Sequence, residues 1–331
     1  MTHKLWLRRC LEYMTIPVVC GTWALSSISY HVDGRSPTDE FESATTVPPA
    51  AESLRTELTQ LQERTGLTLA AYNGGLYIVS FKLRSVLHGK ALAYFGGLGG
   101  VSPDGVEIAV SEGALTIIRY DGSARREYVD VSPIDVCWSH DQSKLAITAF
   151  YRAPNARLEI LDLNSKLTHV VLPLVIARSH FTSQCWSPDD KELVYEADGN
   201  VSVYKTGEDR SRVLARGTTP TWSPDGNWIA FYDHDAYFAV RPSGEGQKKL
   251  FHKKKAVSGL YWSPDSRFEA YVSQADFFEQ FPIIDVEVYM LRVRRLEDGS
   301  ELTFDGMSGG RNYQWVANPD LLKQVATQAT K

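Results

Sequence analysis

The sequence predicts an all-β protein, a six-bladed β-propeller, and three observations carry that prediction. A Ser-Pro-Asp turn peptide recurs along the chain, the interval between copies stays near forty residues, and the strands beside the turns are strongly apolar.

The copy at Thr219–Asp235 (TPTWSPDGNWIAFYDHD) shows the local chemistry. Pro224 presets φ for the second position of a type I turn, and Ser223 and Asp225 accept backbone N–H groups within it. Gly226 supplies the positive φ that closes the turn. Thr219–Trp222 and Trp228–Tyr232 are therefore expected to be adjacent antiparallel strands. Ile229 and Phe231 point one way, and Trp228, Ala230 and Tyr232 the other. A hairpin apolar on both faces needs covers above and below, and further copies of the same unit supply them.

Five copies begin at Val101, Trp138, Trp186, Trp222 and Trp262, with Asp104, Asp141, Asp189, Asp225 and Asp265 at the fourth position of each. A degraded sixth begins at Trp315, and successive starts lie 37, 48, 36, 40 and 53 residues apart by subtraction. After Trp186 the order of signals is a strand at Lys191–Glu196, a turn at Asp198-Gly199-Asn200, a strand at Val201–Lys205, and a last strand at Arg212–Ala215. Four short strands per forty-residue unit is the signature of a propeller blade.

With these residues in view, the Trp-Ser-Pro-Asp-Gly repeats resemble those of TolB-type, WD40-like propellers, over roughly residues 67–331. Such propellers occur in bacterial envelope proteins and as the non-catalytic propellers of prolyl-oligopeptidase-like enzymes. The resemblance implies a fold; propellers host many unrelated activities.

The last copy leaves only Trp315–Lys331, enough for about two strands, whereas Leu67–Tyr72, Gly75–Lys82 and Arg84–His88 read as strands ahead of the first copy. Those N-terminal strands are expected to complete the C-terminal blade and close a ring of six, leaving no open edge between first and last blades. If they form a blade alone, the count is seven.

Composition agrees: 331 residues, 43% hydrophobic, 11% aromatic, with 24 glycines, suit a turn-rich all-β protein with a sizeable core. The net charge of −5 gives no concentrated basic surface of the kind nucleic acid needs. Lys248, Lys249 and Lys253–Lys255 cluster beside His252, and read as a solvated loop with an anionic partner as the alternative.

Residues 1–30 are expected to be a signal or membrane-anchor segment: Lys4, Arg8 and Arg9 precede apolar stretches at Ile16–Cys20 and Trp23–Leu25. Glu12 and Pro17 interrupt the run, so a stable spanning helix over 11–30 is not expected. A periplasmic or cell-envelope location follows from export, with a cytoplasmic N-terminal segment as the alternative. A cleavage site after Ser26, a twin-Arg reading of Arg8-Arg9 and lipid attachment at Cys20 are weaker readings of the same stretch.

Residues 31–66 divide into a Ser, Thr, Pro and acid-rich spacer and a short helix at Ala51–Arg64. Leu54, Leu58 and Leu61 share one helix face and Gly66 terminates it, so the helix is expected to dock on the propeller. Cys137 and Cys185 each precede a motif Trp in neighbouring blades. At the ~10 Å spacing of stacked sheets they are expected to be unbridged small core residues.

No catalytic constellation emerges. Gly306-Met307-Ser308-Gly309-Gly310 fits Gly-x-Ser-x-Gly, but the nucleophile elbow needs an acid and a histidine downstream and the last histidine is His252. Ser308 is read as a turn residue. The eight histidines show no metal-ligand spacing, and Asp233-His234-Asp235 reads as a polar hairpin turn, so neither cofactor nor metal is expected. The motif aspartates read as turn caps, with a cation or basic peptide at the channel mouth as the alternative.

The longest interval carries Phe277, Phe278 and Phe281, aromatic anchors for a partner if they stand exposed. A second elaborated loop is expected near Phe150–Asn155. These readings favour a non-enzymatic propeller scaffold that binds a protein partner in the bacterial cell envelope. The alternative is a small-ligand-binding or hydrolytic propeller working through its central channel.

Overall fold

The turn peptide sets the geometry from which the sheets grow. In the computed structural model, which describes residues 48–331 apart from 74–75, 84, 89–97, 112–113, 129–132, 153–154, 176–183, 209, 254–255, 257, 275–288, 308–312, 322, 324 and 326–331, all five copies fold alike. Residue five of each, Gly105, Gln142, Asp190, Gly226 and Ser266, has φ between 56° and 71°. Its N–H donates to the carbonyl of the motif serine at 2.8–3.1 Å. Each serine Oγ donates to the aspartate Oδ1 at 2.6–2.7 Å. The same Oγ accepts the N–H five residues after the motif serine at 2.9 Å. Every polar atom that a tight turn strips from water is thus repaid locally.

Among the described residues, helix α1 (Pro49–Thr65) precedes twenty-three strands. Sheet I holds β4 (Leu98–Val101), β5 (Glu107–Ser111), β6 (Leu115–Arg119) and β7 (Arg125–Tyr128). Sheet II holds β8 (Pro133–Trp138), β9 (Lys144–Arg152), β10 (Asn155–Asp162) and β11 (Thr168–Val175). Sheet III holds β12 (Glu192–Ala197), β13 (Asn200–Lys205) and β14 (Arg210–Arg216), and Trp186 adds a single bridge to Leu193. Sheet IV holds β15 (Thr218–Trp222), β16 (Ile229–Asp233), β17 (Ala236–Val240) and β18 (Lys248–His252). Sheet V holds β19 (Tyr261–Trp262), β20 (Phe268–Gln274), β21 (Tyr289–Arg295) and β22 (Glu301–Met307). Within each of these sheets the strands follow chain order as antiparallel neighbours.

The remaining strands, β1 (Leu67–Asn73), β2 (Leu76–Ser80), β3 (Ser85–His88) and β23 (Gln314–Ala317), join the two ends of the described chain. Leu67–Ala70 pair antiparallel with Gln314–Ala317, and the far end of β1 pairs Tyr72 and Asn73 with Gly99 and Leu98, so these strands merge with sheet I.

Apolar side chains on both faces of the sheets fill the gaps between them. Val194, Val201, Trp222, Ile229, Phe231 and Val240 form the layer between sheets III and IV. Helix α1 starts with Pro49 at its first turn and ends at Gly66, whose φ of 72° lets its N–H reach the Gln62 carbonyl at 2.8 Å. A Cβ at Gly66 would also lie 2.5 Å from the Pro319 nitrogen, so no larger residue fits. Leu54 and Leu58 are fully buried against Leu67, Phe81, Phe304 and Trp315, each worth roughly 1.5–3 kcal/mol of transfer free energy. Buried Gln62 fixes the helix angle by donating to the Val79 carbonyl at 2.8 Å and accepting the Phe81 N–H at 3.2 Å.

The expected isolation of Cys137 and Cys185 is overturned. They form a disulfide with a Cα separation of 6.3 Å, within bridging range. The ~10 Å spacing applies to sheets stacked face to face. These cysteines lie at the inner ends of sheets II and III, where the chains approach closely enough for the Trp186 indole to donate to the Cys137 carbonyl at 3.2 Å.

Candidate functional site

The motif residues tie neighbouring sheets together. Each recurring Trp stands just before its turn, and three of the indoles reach the preceding sheet: Trp138 Nε1 donates to Gly100 O at 2.9 Å, Trp186 to Cys137 O at 3.2 Å, and Trp315 to Tyr261 O at 3.0 Å. In each case the acceptor is the residue before the first position of the neighbouring motif copy. Gly100 permits this approach, because a Cβ there would lie 2.9 Å from Val136 O. Trp222 and Trp262 are equally buried, yet their Nε1 atoms find no acceptor among the described residues. Around these two the ties run elsewhere. Trp222 N donates to Gln184 O at 2.9 Å, and the Gln184 side chain brackets the Trp262 backbone at 2.6 and 2.7 Å.

The turns themselves touch from sheet to sheet. Gly226 faces the Pro188 ring, and Asn318 Nδ2 donates to Asp104 O at 3.2 Å. Between sheets II and III the chain departs from its own pattern at both contacting positions. His140 stands where other copies have Pro, and Asp190 where two have Gly. The departures answer each other: Asp190 accepts the His140 N–H at 2.8 Å, its Nδ1 at 3.0 Å and the Asp141 N–H at 2.9 Å. A proline at 140 would lack that N–H. Although burial works against ionisation, the His140 contacts hold the Asp190 carboxyl below the ordinary range.

The motif aspartates are occupied. Each Oδ1 holds the motif serine and the N–H two residues on, at 2.9–3.3 Å. Asp189 is held below its ordinary value chiefly by the Ser187 hydroxyl; Asp141 and Asp225 are lowered by serine and backbone donors that outweigh their burial. Asp141, Asp189 and Asp225 are thereby held as ionised caps.

A second polar cluster lies on sheet V. Buried Glu269 meets Arg294 Nη1 at 2.6 Å, while its other oxygen finds no hydrogen-bond partner among the described residues. Burial is the largest influence and pushes Glu269 up to about 7; Arg294, itself 23% exposed, offsets that only in part, and Glu301 adds repulsion. Arg292 binds Glu301 at 2.8 Å and Ser273 at 3.0 Å, and Tyr271 donates its hydroxyl proton to Glu301. Beside this cluster, Glu57 of α1 pairs with Arg267 and Arg295, clamping the helix to sheet V.

Sequence reasoning brought out the motif Trp and Asp positions but missed the Asp190 contact, the disulfide and the Glu57 clamp. The first had a readable signal, two departures at the touching positions of successive copies. Asp233 ends β16, and His234-Asp235 form the two-residue turn to β17, with His234 at φ 53°. Gly306 and Met307 end β22, whereas Ser308 lies outside the described residues, as do Phe277, Phe278, Phe281 and residues 1–30. Among the described residues, no three His, Cys, Asp or Glu side chains gather to hold a metal, and no helix is long and apolar enough to cross a membrane.

No family model matches the sequence, and no curated protein matches it. Solved structures do. The putative TolB of Agrobacterium tumefaciens superposes with a TM-score of 0.56 at 18% identity, covering 74% of this chain and 91% of that one. TolB of Acinetobacter baumannii gives 0.55 at 13% identity, covering 78% of this chain and 70% of that one. A chain of a nidogen/laminin complex gives 0.53 at 11% identity, covering 75% and 97%. At these identities the likeness is one of architecture: the chain has a TolB-like β-propeller fold.

Proposed function

We propose that the chain is a non-enzymatic, six-bladed propeller scaffold that presents loops and outer edges to a protein partner in the bacterial cell envelope. Sheets I to V are five blades on this reading, and β23, β1, β2 and β3 make the sixth, so that residues 67–331 form a ring closed by strands from its two ends. The observation that carries the scaffold role is the state of the recurring carboxylates. They recur in five successive copies of the turn, and each caps its own turn. A rim fixed in this way displays neighbouring loops at little ordering cost. The TolB-like fold supports the same reading, and the Cys137–Cys185 bond supports an oxidising compartment. Phe277, Phe278 and Phe281 are proposed anchors on sequence grounds.

The test is crosslinked affinity capture from native cells with the full chain carrying a C-terminal tag. A reproducible envelope protein, lost when Phe277, Phe278 and Phe281 are all changed to serine, is the expected result. Recovery of no protein partner would shift the function to a ligand in the channel. Protection of residues 67–331 from protease added to intact spheroplasts would overturn the envelope location.

A further inference from the structure

We propose that the outer edge of sheet III, strand β14 with the adjoining turn and strand of sheet IV, docks an extended acidic segment of a partner protein, which adds to β14 as a further strand. The proposal rests on the scaffold reading and names where and what that scaffold binds.

Strand β14 ends its sheet, pairing with β13 on one side only, and all seven of its residues are exposed or half-exposed. A free edge of this length presents unpaired backbone donors and acceptors, the template that extended peptides use. Val213 projects 66% exposed from the middle of it. The neighbouring surface is supplied by sheet IV. Arg212 donates to Pro242 O, and Leu214 lies beside Gly244, so the 241–246 turn sits against β14. The base of that turn is basic: Arg241 and Lys248 both lie over the Trp228 ring, at 4.8 and 3.7 Å from its centre.

Charge decides the chemistry of the occupant. Among the described residues Arg216, Arg241, Lys248 and Lys249 make no ion pair, and Arg210 shares the field of Glu208 with Lys205, which already pairs with that carboxylate. Arg212 occupies Glu192 at 3.3 Å, leaving Glu245 as the acid of the adjoining turn. This surplus of cations belongs to a chain whose net charge is −5. The edge of sheet I, by contrast, neutralises its own arginines: Arg125 meets Glu127 at 2.9 Å and Arg126 meets Glu107 at 2.7 Å. Arg210 and Arg216 are six residues apart on one strand, about 20 Å, a spacing that suits a strand with several carboxylates rather than a single anion. Against an anionic membrane, the cations alone would serve and the free strand edge would have no role.

The experiment uses the full chain and a fluorescein-labelled nonapeptide of alternating Val and Glu, with anisotropy and backbone hydrogen exchange as readouts. Binding is expected to weaken at least tenfold in Arg210→Glu/Arg216→Glu and less in Arg210→Gln/Arg216→Gln. The charge-reversed protein should instead take a Val-Lys peptide, and bound Val-Glu peptide should slow exchange in β14. An unchanged thermal midpoint shows that the variants fold. Equal binding by wild type and the charge-reversed variant, or no protection of β14, overturns the proposal. So does binding to phosphatidylglycerol vesicles without binding to the peptide. If the charge-reversed chain still captures the same envelope partner from cells, this surface is refuted and the scaffold reading stands; if wild type captures none, that reading falls too.

Discussion

The joints on either side of sheet III solve the same problem differently. Toward sheet II, the contact is covalent and polar: the Cys137–Cys185 bond, the Trp186 indole on Cys137 O, His169 with the Tyr204 hydroxyl at 2.8 Å, and Asp190 across the two turns. Toward sheet IV, turn meets turn as Gly226 against the Pro188 ring, and the Trp222 indole finds no acceptor among the described residues. There the valine, isoleucine and phenylalanine layer supplies the cohesion. A repeat fold thus keeps its spacing through packing common to all joints, while single substitutions decide which joints are latched.

The comparison breaks most visibly at the disulfide. Closing a 48-residue separation constrains the unfolded chain by about 4 kcal/mol in the chain-entropy treatment. Cys137→Ala/Cys185→Ala, or unfolding in reductant, should therefore lower the denaturant midpoint by more than any other change discussed here. An unchanged midpoint would mean that the bond does not form in the native protein. Next come the tryptophans. Trp186→Phe removes the indole bond to the Cys137 carbonyl and should cost about 0.5–1.5 kcal/mol more than a loss of ring area alone, whereas Trp222→Phe forfeits no indole hydrogen bond to the described residues. Equal losses in the two variants would contradict the distinction between the joints.

A smaller effect is expected from restoring the repeat pattern. Asp190→Gly removes the contact to His140 but relieves a positive φ, and His140→Pro removes the donor; the double variant should show a coupling of about 0.5–1.5 kcal/mol. Additive single losses would show that the two departures are independent. Acid supplies the gentlest probe. Asp190 is depressed in the folded state, so its contribution is present above the unfolded carboxylate range and is lost as pH falls through its folded value. Asp190→Asn should flatten the acid limb of the stability curve, and an identical limb would place the acid sensitivity elsewhere.

Most of the inner architecture was legible because one peptide carries it. Ser, Asp and a residue able to take positive φ at fixed spacing specify a turn through local bonds alone, and Gln142, Asp190 and Ser266 adopt it without glycine. The helix was legible for a similar reason: Leu54, Leu58 and Leu61 mark its buried face and Gly66 its end. What escaped the sequence depends on approach between segments far apart in the chain. The cysteine pairing required the radial convergence of two sheets, and the raised Glu269 required knowing that its strand is covered. The basic edge looked like a solvated lysine run because β14 lies more than thirty residues before Lys248, and only the fold sets its Arg212 against the turn that precedes that lysine.

The pairing of β1 with β23 carries a kinetic consequence. Leu67 meets Ala317, a contact 250 residues apart by subtraction, so the loop-closure entropy of that sheet is paid only after nearly every other strand is available. During synthesis β1 must wait with an uncovered edge, and a polypeptide ending before Gln314 never covers it. Aggregation of nascent or truncated chains, rather than failure of any single turn, is therefore the characteristic hazard of this topology.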